Sequence, residues 1–266
     1  MRLKIAHTTR YSYDSPVPFV MQQVRLMPKN RTAQSVVNWT IAIEGGDEQL
    51  RFEDQHRNTV ILVTFEPCRQ ETIFRCTGEV ETENTGGVVG ETRGHAPLWL
   101  FRRETALTRP GAALRRLAKS IEPEMSDPLS AMHALSNGIR ELVSYEIGET
   151  TVGTTAEQAL ADGKGVCQDH VHVFLGAARL LGIPARYVSG YLMMNDRVEQ
   201  DATHAWAEAH LDGLGWVGFD IANGICPDER YVCVATGLDY KEAAPVSGMR
   251  LGEGTESLYV SVQVQQ

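Results

Sequence analysis

The sequence predicts an α+β protein in which a β-rich, sandwich-like region precedes a region of mixed helices and strands. Two observations predict this arrangement. Short runs of alternating apolar and polar residues fill the first hundred positions, whereas helical spacing of apolar residues begins only after about residue 105. We therefore expect a β-rich N-terminal domain at residues 1–105 and a second domain at residues 106–266 that ends in a C-terminal strand.

The N-terminal region contains short predicted strands separated by turn signals, without intervening helices. The alternating residues are Leu3, Ile5 and His7; Val37, Trp39, Ile41 and Ile43; and Ile61, Val63 and Phe65. The turn signals are Asp14-Ser15-Pro16, Gly45-Gly46-Asp47 and the segment 84–87. Regularly spaced short strands of this kind are typical of a sandwich-like domain.

Three helices are predicted in the second region. Asp127 followed by Pro128 is a favourable helix start, and Thr154 with Glu157 resembles a capping box for a short helix near residues 156–160. The third helix follows the turn 163–167 and ends at Gly182. Its predicted single buried face consists of Val171, Phe174, Leu175, Ala178 and Leu181.

Strands are predicted after this helix at residues 186–191, 204–211, 216–220 and 258–264. Symmetric pairing of the second and third of these about Asp212 and Gly213 would set Asp220 opposite Ala205. To bring Asp220 beside His204, the hairpin therefore needs a bulge or a longer loop.

Composition limits the classes of partner. The chain has 266 residues and a net charge of −9, which argues against a nucleic-acid binder. The sequence also has no basic amphipathic helix of the kind that binds a membrane surface. The first residues lack the apolar stretch of a signal peptide, and no segment reaches the roughly 18–20 apolar residues of a membrane span. We expect a soluble, cytoplasmic protein.

Cys167 differs from the other cysteines, which are Cys68, Cys76, Cys226 and Cys233. The chain has five cysteines, an odd number, and the spacing of these four does not match a metal knuckle, so we expect the four to be inert thiols. Cys167 lies at a predicted helix start, where the helix dipole and free N–H groups favour a thiolate. Its own backbone N–H is a candidate donor to an oxyanion.

His204 and Asp220 are the candidate partners of this nucleophile. A histidine near the sulfur would accept its proton and later protonate the leaving group. Asp220, at the end of the next predicted strand, would fix the tautomer and orientation of the ring. We therefore predict Cys167, His204 and Asp220 as catalytic residues, with no cofactor and no metal.

Several sequence blocks resemble the transglutaminase-like superfamily, and in particular bacterial members with a β-rich N-terminal region. The blocks lie at residues 7–13, 25–28, 155–160, 165–170, 181–191, 204–208, 215–220, 234–240 and 245–248. The resemblance implies a papain-like transglutaminase core, with the nucleophile at a helix N-terminus and the other two residues on strands. It further implies acyl transfer at amide bonds of a peptide or protein substrate through a thioester, with Cys167, His204 and Asp220 in the motif positions.

The chain departs from the family pattern at three places. His170 stands where an aromatic residue is usual, Ile221-Ala222 replaces Pro-Thr, and Leu238 stands where arginine is common. None of these changes removes a predicted catalytic group. At these positions, however, the family pattern does not define the shape of the substrate pocket.

Other residues near the predicted site have competing interpretations. Asp169 is expected to make a structural hydrogen bond or salt bridge near the helix start, and Tyr145 is a candidate group near the oxyanion. Trp206 and Tyr191 are either core aromatics or walls of a groove. His95, His133 and His210 are expected to be ordinary histidines.

Three functional hypotheses remain. The first is a thiol enzyme for amide bonds, with hydrolysis favoured over amine cross-linking because the small chain resembles hydrolytic family members. The second is a catalytically silent binding or scaffolding protein. The third is a metal hydrolase using Cys167, His170, His172 and His204, although positions i and i+2 do not share a helix face.

Overall fold

A computed structural model describes residues 1–91 and 96–266. His95, predicted to be an ordinary histidine, lies outside the described residues. In the N-terminal half the strands are β1 (Arg2–Val17), β2 (Phe19–Val24), β3 (Gln34–Glu44), β4 (Gly46–Glu53), β5 (Thr59–Phe65), β6 (Arg69–Thr82) and β7 (Val88–Gly90).

The C-terminal half alternates helices and strands. The helices are α1 (Ala112–Ile121), α2 (Pro128–Leu142), α3 (Ala156–Asp162), α4 (Cys167–Leu180) and α5 (Tyr240–Ala243). The strands are β8 (Ser144–Tyr145), β9 (Lys164–Gly165), β10 (Ala185–Leu192), β11 (Glu199–Gln200), β12 (His204–Leu211), β13 (Gly215–Phe219), β14 (Tyr231–Gly237), β15 (Val246–Leu251) and β16 (Glu256–Gln265).

Two antiparallel sheets form the N-terminal sandwich. One has the strand order β11-β16-β1-β6-β3 and the other the order β15-β2-β5-β4. Their inner faces share a cluster that includes Val17, Val24, Val63, Phe65 and Phe74. The alternation in the sequence therefore corresponds to one buried and one exposed face, and the predicted α+β class with a sandwich-like N-terminal region is confirmed.

A third sheet, with the order β14-β10-β12-β13-β7, forms the centre of the second region. Strand pairing crosses the predicted boundary at residue 105 in both directions. β7 pairs with β13 of the central sheet, whereas β15 pairs with β2 and β16 pairs with β1 of the sandwich. The division at residue 105 stays a prediction.

Helix α4 is the centre of the main core. The sequence predicted one buried face, but the helix is buried on all sides from Asp169 to Arg179. Val171, Phe174, Leu175 and Ala178 are buried as predicted, and the other sides are buried as well because α1, α2 and α3 cover the side that faces away from the central sheet. Their approach is close: a Cβ on Gly176 would lie 2.4 Å from Leu114 Cδ2.

The hairpin of β12 and β13 has the longer loop that the sequence required. Residues 212–214 connect the strands, Leu211 pairs with Gly215, and Ala207 pairs with Phe219 without a register shift. Asp220 follows Phe219 directly. Continued by one residue, this register sets Asp220 opposite Trp206, two residues from His204 on the same face of the strand, so Asp220 reaches His204 diagonally and without a bulge in either strand.

The cap of α3 differs from the prediction. Thr155, not Thr154, is the N-cap, and it forms a capping box with Gln158. Glu157 instead crosses to the start of α1, where its carboxylate accepts hydrogen bonds from the backbone N–H groups of Ala113 at 2.6 Å and Leu114 at 3.0 Å. The predicted box was wrong because Glu157 serves a neighbouring helix.

We predict that Glu157→Ala lowers the free energy of unfolding by about 1 kcal/mol, because it leaves N–H groups at the start of α1 without a partner. Urea unfolding of the variant and of Glu124→Ala, an exposed glutamate, would measure the effect. Equal losses in the two variants would show that this contact does not stabilise α1.

Among the described residues, no helix is long and apolar enough to cross a membrane.

Candidate active site

Cys167 is the first residue of α4 and is partly exposed. The Asp169 carboxylate holds the backbone of the residue that precedes Cys167. Asp169 Oδ2 accepts hydrogen bonds from the backbone N–H of Val166 at 2.8 Å and from Thr150 Oγ1 at 2.7 Å. This contact agrees with the structural role predicted for Asp169. Burial raises the pKa of this carboxyl group.

His204 begins β12 beside this helix start. Its Nε2 lies 2.6 Å from Asp220 Oδ2, and the ring is close enough to the Cys167 side chain for the two groups to interact. Burial lowers the pKa of His204, but the charge of Asp220 and the contacts with Asp220 and Cys167 outweigh it and raise the pKa to about 10. The ring therefore holds a proton at neutral pH. The structure brings together the three residues that the sequence singled out.

Asp220 is fully buried, and its carboxylate accepts several hydrogen bonds. Besides His204, Oδ2 accepts from Asn223 Nδ2 at 2.7 Å and from Tyr231 Oη at 2.7 Å. Burial raises the pKa of Asp220, but the charge of His204 and these hydrogen bonds outweigh it, so the pKa is lowered. Such a carboxylate stays ionised although it has no contact with water.

Sequence reasoning missed Asn223 and Tyr231. Asn223 also donates its backbone N–H to Asp220 Oδ1 at 3.2 Å, and its position three residues after the aspartate is typical of a local Asx-type turn. That spacing was a usable signal. Tyr231 begins the distant strand β14, and nothing in its local sequence indicates the contact.

The aromatic residues around His204 belong to the core. The His204 ring lies 6.4 Å from the Trp206 ring and 6.0 Å from the Tyr231 ring. Trp206 and Tyr191 are both buried, and the hydroxyl of Tyr191 lies 2.8 Å from His7 Nδ1 in the sandwich. Of the two interpretations of Trp206 and Tyr191, the core one is therefore correct.

Tyr145 lies at the exposed side of the site. Its ring stacks on His170 at 6.1 Å with an interplanar angle of 10°, and 54% of the residue is exposed. Burial of its inner part, together with the nearby charges of Cys167 and Asp220, raises the pKa of Tyr145 to about 12. Tyr145 is therefore close enough to Cys167 to sense its charge.

The histidines of α4 face different partners. His170 places Nδ1 2.9 Å from the Val166 carbonyl and Nε2 2.9 Å from the Val143 carbonyl. His172 accepts from the backbone N–H of Tyr240 at 3.2 Å, and burial lowers its pKa to about 3. Within residues 1–91 and 96–266, no three His, Cys, Asp or Glu side chains are grouped so that they could hold a metal ion.

The remaining unusual residues are structural. Ile221 and Leu238, two of the departures from the family pattern, are buried in apolar clusters. His133 packs against Phe219 at a ring distance of 5.1 Å, as an ordinary histidine would. His210 has a partner that the sequence analysis did not identify, because its Nε2 lies 3.3 Å from Glu91 Oε1.

The fold and this site together define a papain-like α+β protein with a cysteine at a buried helix's N-terminus, beside a histidine–aspartate pair on adjacent strands. Residues 115–221 match the model of the transglutaminase-like superfamily core, and residues 3–81 match that of the bacterial transglutaminase-like N-terminal region. The chain belongs to the transglutaminase-like superfamily.

Relatives match over the whole length of the chain. An uncharacterized protein of Mycobacterium leprae is 30% identical over 280 residues, covering 99% of this chain and 98% of the relative. An uncharacterized protein of Mycobacterium tuberculosis is 28% identical over 292 residues, covering 99% and 91% of the two chains.

Among solved structures, the fold matches one described as "a Putative Cysteine Protease from Cytophaga hutchinsonii". The TM-score is 0.78 at 21% sequence identity, and the match covers 100% of this chain and 90% of the other. At this identity the likeness establishes the shared fold.

We predict that Tyr231→Phe weakens the orientation of Asp220 and lowers the free energy of unfolding by about 1 kcal/mol. With one donor fewer, Asp220 concentrates more charge on His204, so the pKa of His204 rises further. Urea unfolding and an NMR titration of the His204 ring would measure both changes. Tyr259→Phe, at an exposed tyrosine of β16, is the matched control. An unchanged His204 titration would contradict the assignment.

The raised pKa of His204 also predicts a pH dependence of stability. Because the folded-state pKa of about 10 exceeds the usual 6.5, the protonated ring stabilises the fold fully below pH 6.5, and this contribution is lost as the pH rises through about 10. The free energy of unfolding of His204→Gln should therefore fall less than that of the wild type across this window. Parallel curves from urea unfolding at several pH values would refute the prediction.

Proposed function

We propose that the protein is a thiol enzyme that transfers acyl groups from amide bonds of peptides or proteins through a Cys167 thioester. The observation that carries the proposal is that Cys167, at the N-terminus of a buried helix, lies beside a His204 ring that is hydrogen-bonded to Asp220. His204 acts as the base and Asp220 orients it.

The protonated His204 ring favours a thiolate at Cys167, because the two opposite charges are adjacent. The position at the start of α4 supports the same ionisation through the helix dipole. Asp220 stabilises the imidazolium and holds Nε2, which leaves the other ring nitrogen for proton transfer.

In the first step the Cys167 sulfur attacks the amide carbonyl carbon and forms a tetrahedral intermediate. The C–N bond then breaks, His204 gives its proton to the leaving amine, and a thioester remains. In the second step water gives a proton to His204 and attacks the thioester. The C–S bond breaks, the carboxylic acid leaves, and the thiolate–imidazolium pair is restored.

The developing oxyanion requires donors beside the sulfur. The backbone N–H groups of the first turn of a helix have no partner within the helix, and the N–H of Cys167 is one of them. We infer that this group is the main oxyanion donor. The half-exposed Tyr145 hydroxyl is the candidate for a second donor.

We favour hydrolysis over amine cross-linking. Water needs no binding site of its own to attack a thioester, whereas an amine acceptor competes with water only when a dedicated subsite holds it. Incubation with a peptide mixture, with and without a primary amine, followed by mass spectrometry separates the two. Carboxylic acid products in the presence of the amine support hydrolysis, and amide adducts overturn it.

We predict that Cys167→Ala abolishes acyl-enzyme adducts with these peptides and removes at least about 1000-fold of the hydrolytic rate. Mass spectrometry of the intact protein after incubation would detect the thioester. Cys68→Ala, at an exposed thiol, is the control and should form adducts like the wild type. Equal adduct formation in Cys167→Ala would refute the nucleophile.

The silent scaffolding alternative makes a different prediction. A scaffold forms no thioester with any peptide, and iodoacetamide labels its Cys167 no faster than Cys68. Rapid labelling of Cys167 at about pH 6, lost in His204→Ala, supports the thiol enzyme, because only a paired thiolate reacts there.

A further inference from the structure

A large open cavity lies on the face of the central sheet opposite α4. It has a volume of about 910 Å³ and lies between the N-terminal segments around residues 27–39 and 53–59 and the outer face of strands β10, β13 and β14. Cys167, His204 and Asp220 are not among its described lining residues. Its size falls within the range of about 300–1,000 Å³ that is typical of small-molecule sites, which often lie between domains.

Three cations converge at the inner wall of this cavity: Lys29, Arg31 and Arg186. Among the described residues, a single carboxylate forms ion pairs with these cations, and both pairs are with the arginines. Glu208 is fully buried, and it accepts from Arg31 Nη1 at 2.5 Å and from Arg186 Nε at 2.7 Å. The inner wall therefore has an excess of positive charge, although the whole chain has a net charge of −9.

Within the part of the chain that the structure describes, the hydrogen-bond acceptors of the Lys29 ammonium group are neutral. Its Nζ donates to the His56 carbonyl at 2.6 Å and to Thr236 Oγ1 at 2.8 Å. Burial and the charges of Arg186 and Arg31 lower the pKa of Lys29 to about 8, although the charge of Asp54 acts in the opposite direction. An ammonium group offers three donors, so one remains for a ligand.

The acidic residues nearby do not cancel this excess. Glu53 pairs with Arg57 at the surface, and the Glu91 side chain is 80% exposed beside His210. Asp54, whose charge also reaches Lys29, lies 3.6 Å from Arg25 and is hydrogen-bonded by Asn58. Each of these carboxylates has a partner other than Lys29.

Flat apolar surfaces stand next to the cations. The Arg186 guanidinium lies 3.9 Å from the centre of the Trp216 ring, and Phe101 meets Trp216 edge to face at 5.0 Å. Trp216 and Phe101 are themselves buried, with Arg186 over the Trp216 ring, whereas Trp39 and Leu98 line the same cavity and are partly exposed to it. Aromatic walls of this kind bind a planar apolar group, while a few charged groups fix its orientation.

We propose that this cavity binds a small organic anion, with an oxyanion group at Lys29 and a planar apolar body against Trp39 and Leu98. Carboxylate and phosphate esters share this chemistry. The negative charge of the ligand would balance the excess of positive charge at the inner wall. Without a ligand, these cations remain partly desolvated and have too few counter-ions. The site is independent of the proposed thiol chemistry.

Isothermal titration calorimetry of the whole protein with three probes tests the proposal. Naphthalene-2-carboxylate and 2-naphthyl phosphate should bind saturably, whereas naphthalene-2-carboxamide, which has the same shape but no charge, should bind at least about tenfold more weakly. The stronger of the two anions identifies the oxyanion group. Equal affinity for the carboxamide, or no saturable binding of either anion, overturns the proposal without any variant.

Variants then locate the site. Lys29→Met keeps the side chain's length and should weaken the anions about tenfold while leaving the carboxamide unchanged. Lys119→Met, at an exposed lysine of α1, is the matched control and should bind like the wild type. Circular dichroism checks that each variant folds, and Lys29→Gln replaces Lys29→Met if the latter does not. Unchanged anion affinity in a folded Lys29 variant places the anion elsewhere and refutes the assignment.

Discussion

The packing of α4 against three alanines of β12 is the constraint on which the rest of the second region depends. Ala205, Ala207 and Ala209 share one face of the strand and are buried against the helix. Small side chains let a helix approach a sheet closely, and close packing leaves little freedom to shift. Because Cys167 is the first residue of that helix and His204 the first of that strand, the same contact fixes the spacing of sulfur and ring.

The second constraint is the number of hydrogen bonds that the Asp220 carboxylate accepts. One carboxylate oxygen accepts from a ring nitrogen, an amide and a phenol. Three donors hold the carboxylate ionised in a buried place, but they also share its charge. The strength with which Asp220 holds the His204 proton is therefore set jointly by Asn223 and Tyr231.

Much of this arrangement could be predicted from the sequence. Helical spacing identified α4, and alternation identified β10 and β12 with bounds within one residue of those observed. These signals are local, because side-chain period and helix caps depend on a few neighbouring residues. The short motifs that resemble the transglutaminase-like superfamily then identified the cysteine, the histidine and the aspartate, in that order along the chain.

What failed to be predicted depends on contacts between distant segments. Glu157 has the spacing of a local cap, yet it binds the start of α1. The helix α4 has one apolar stripe by pattern, yet its polar residues Asp169 and His170 are buried as well. Both are buried with hydrogen-bond partners from elsewhere in the chain, Thr150 and the Val143 carbonyl. The hydrophobic periodicity of a sequence cannot predict hydrogen-bond partners that lie in distant segments of the chain.

The two faces of β12 explain how one strand contributes to two places. Alternation puts the alanines toward α4 and puts Trp206 and Glu208 toward the opposite face. Glu208 alone would be a buried charge without compensation, and Arg31 and Arg186 supply that compensation from two other segments. The net charge of −9 describes the whole surface and says nothing about this wall, because a local field depends on which charges the fold brings together. An acidic protein can therefore still present a cationic wall, and here the wall arises where the sandwich meets the central sheet.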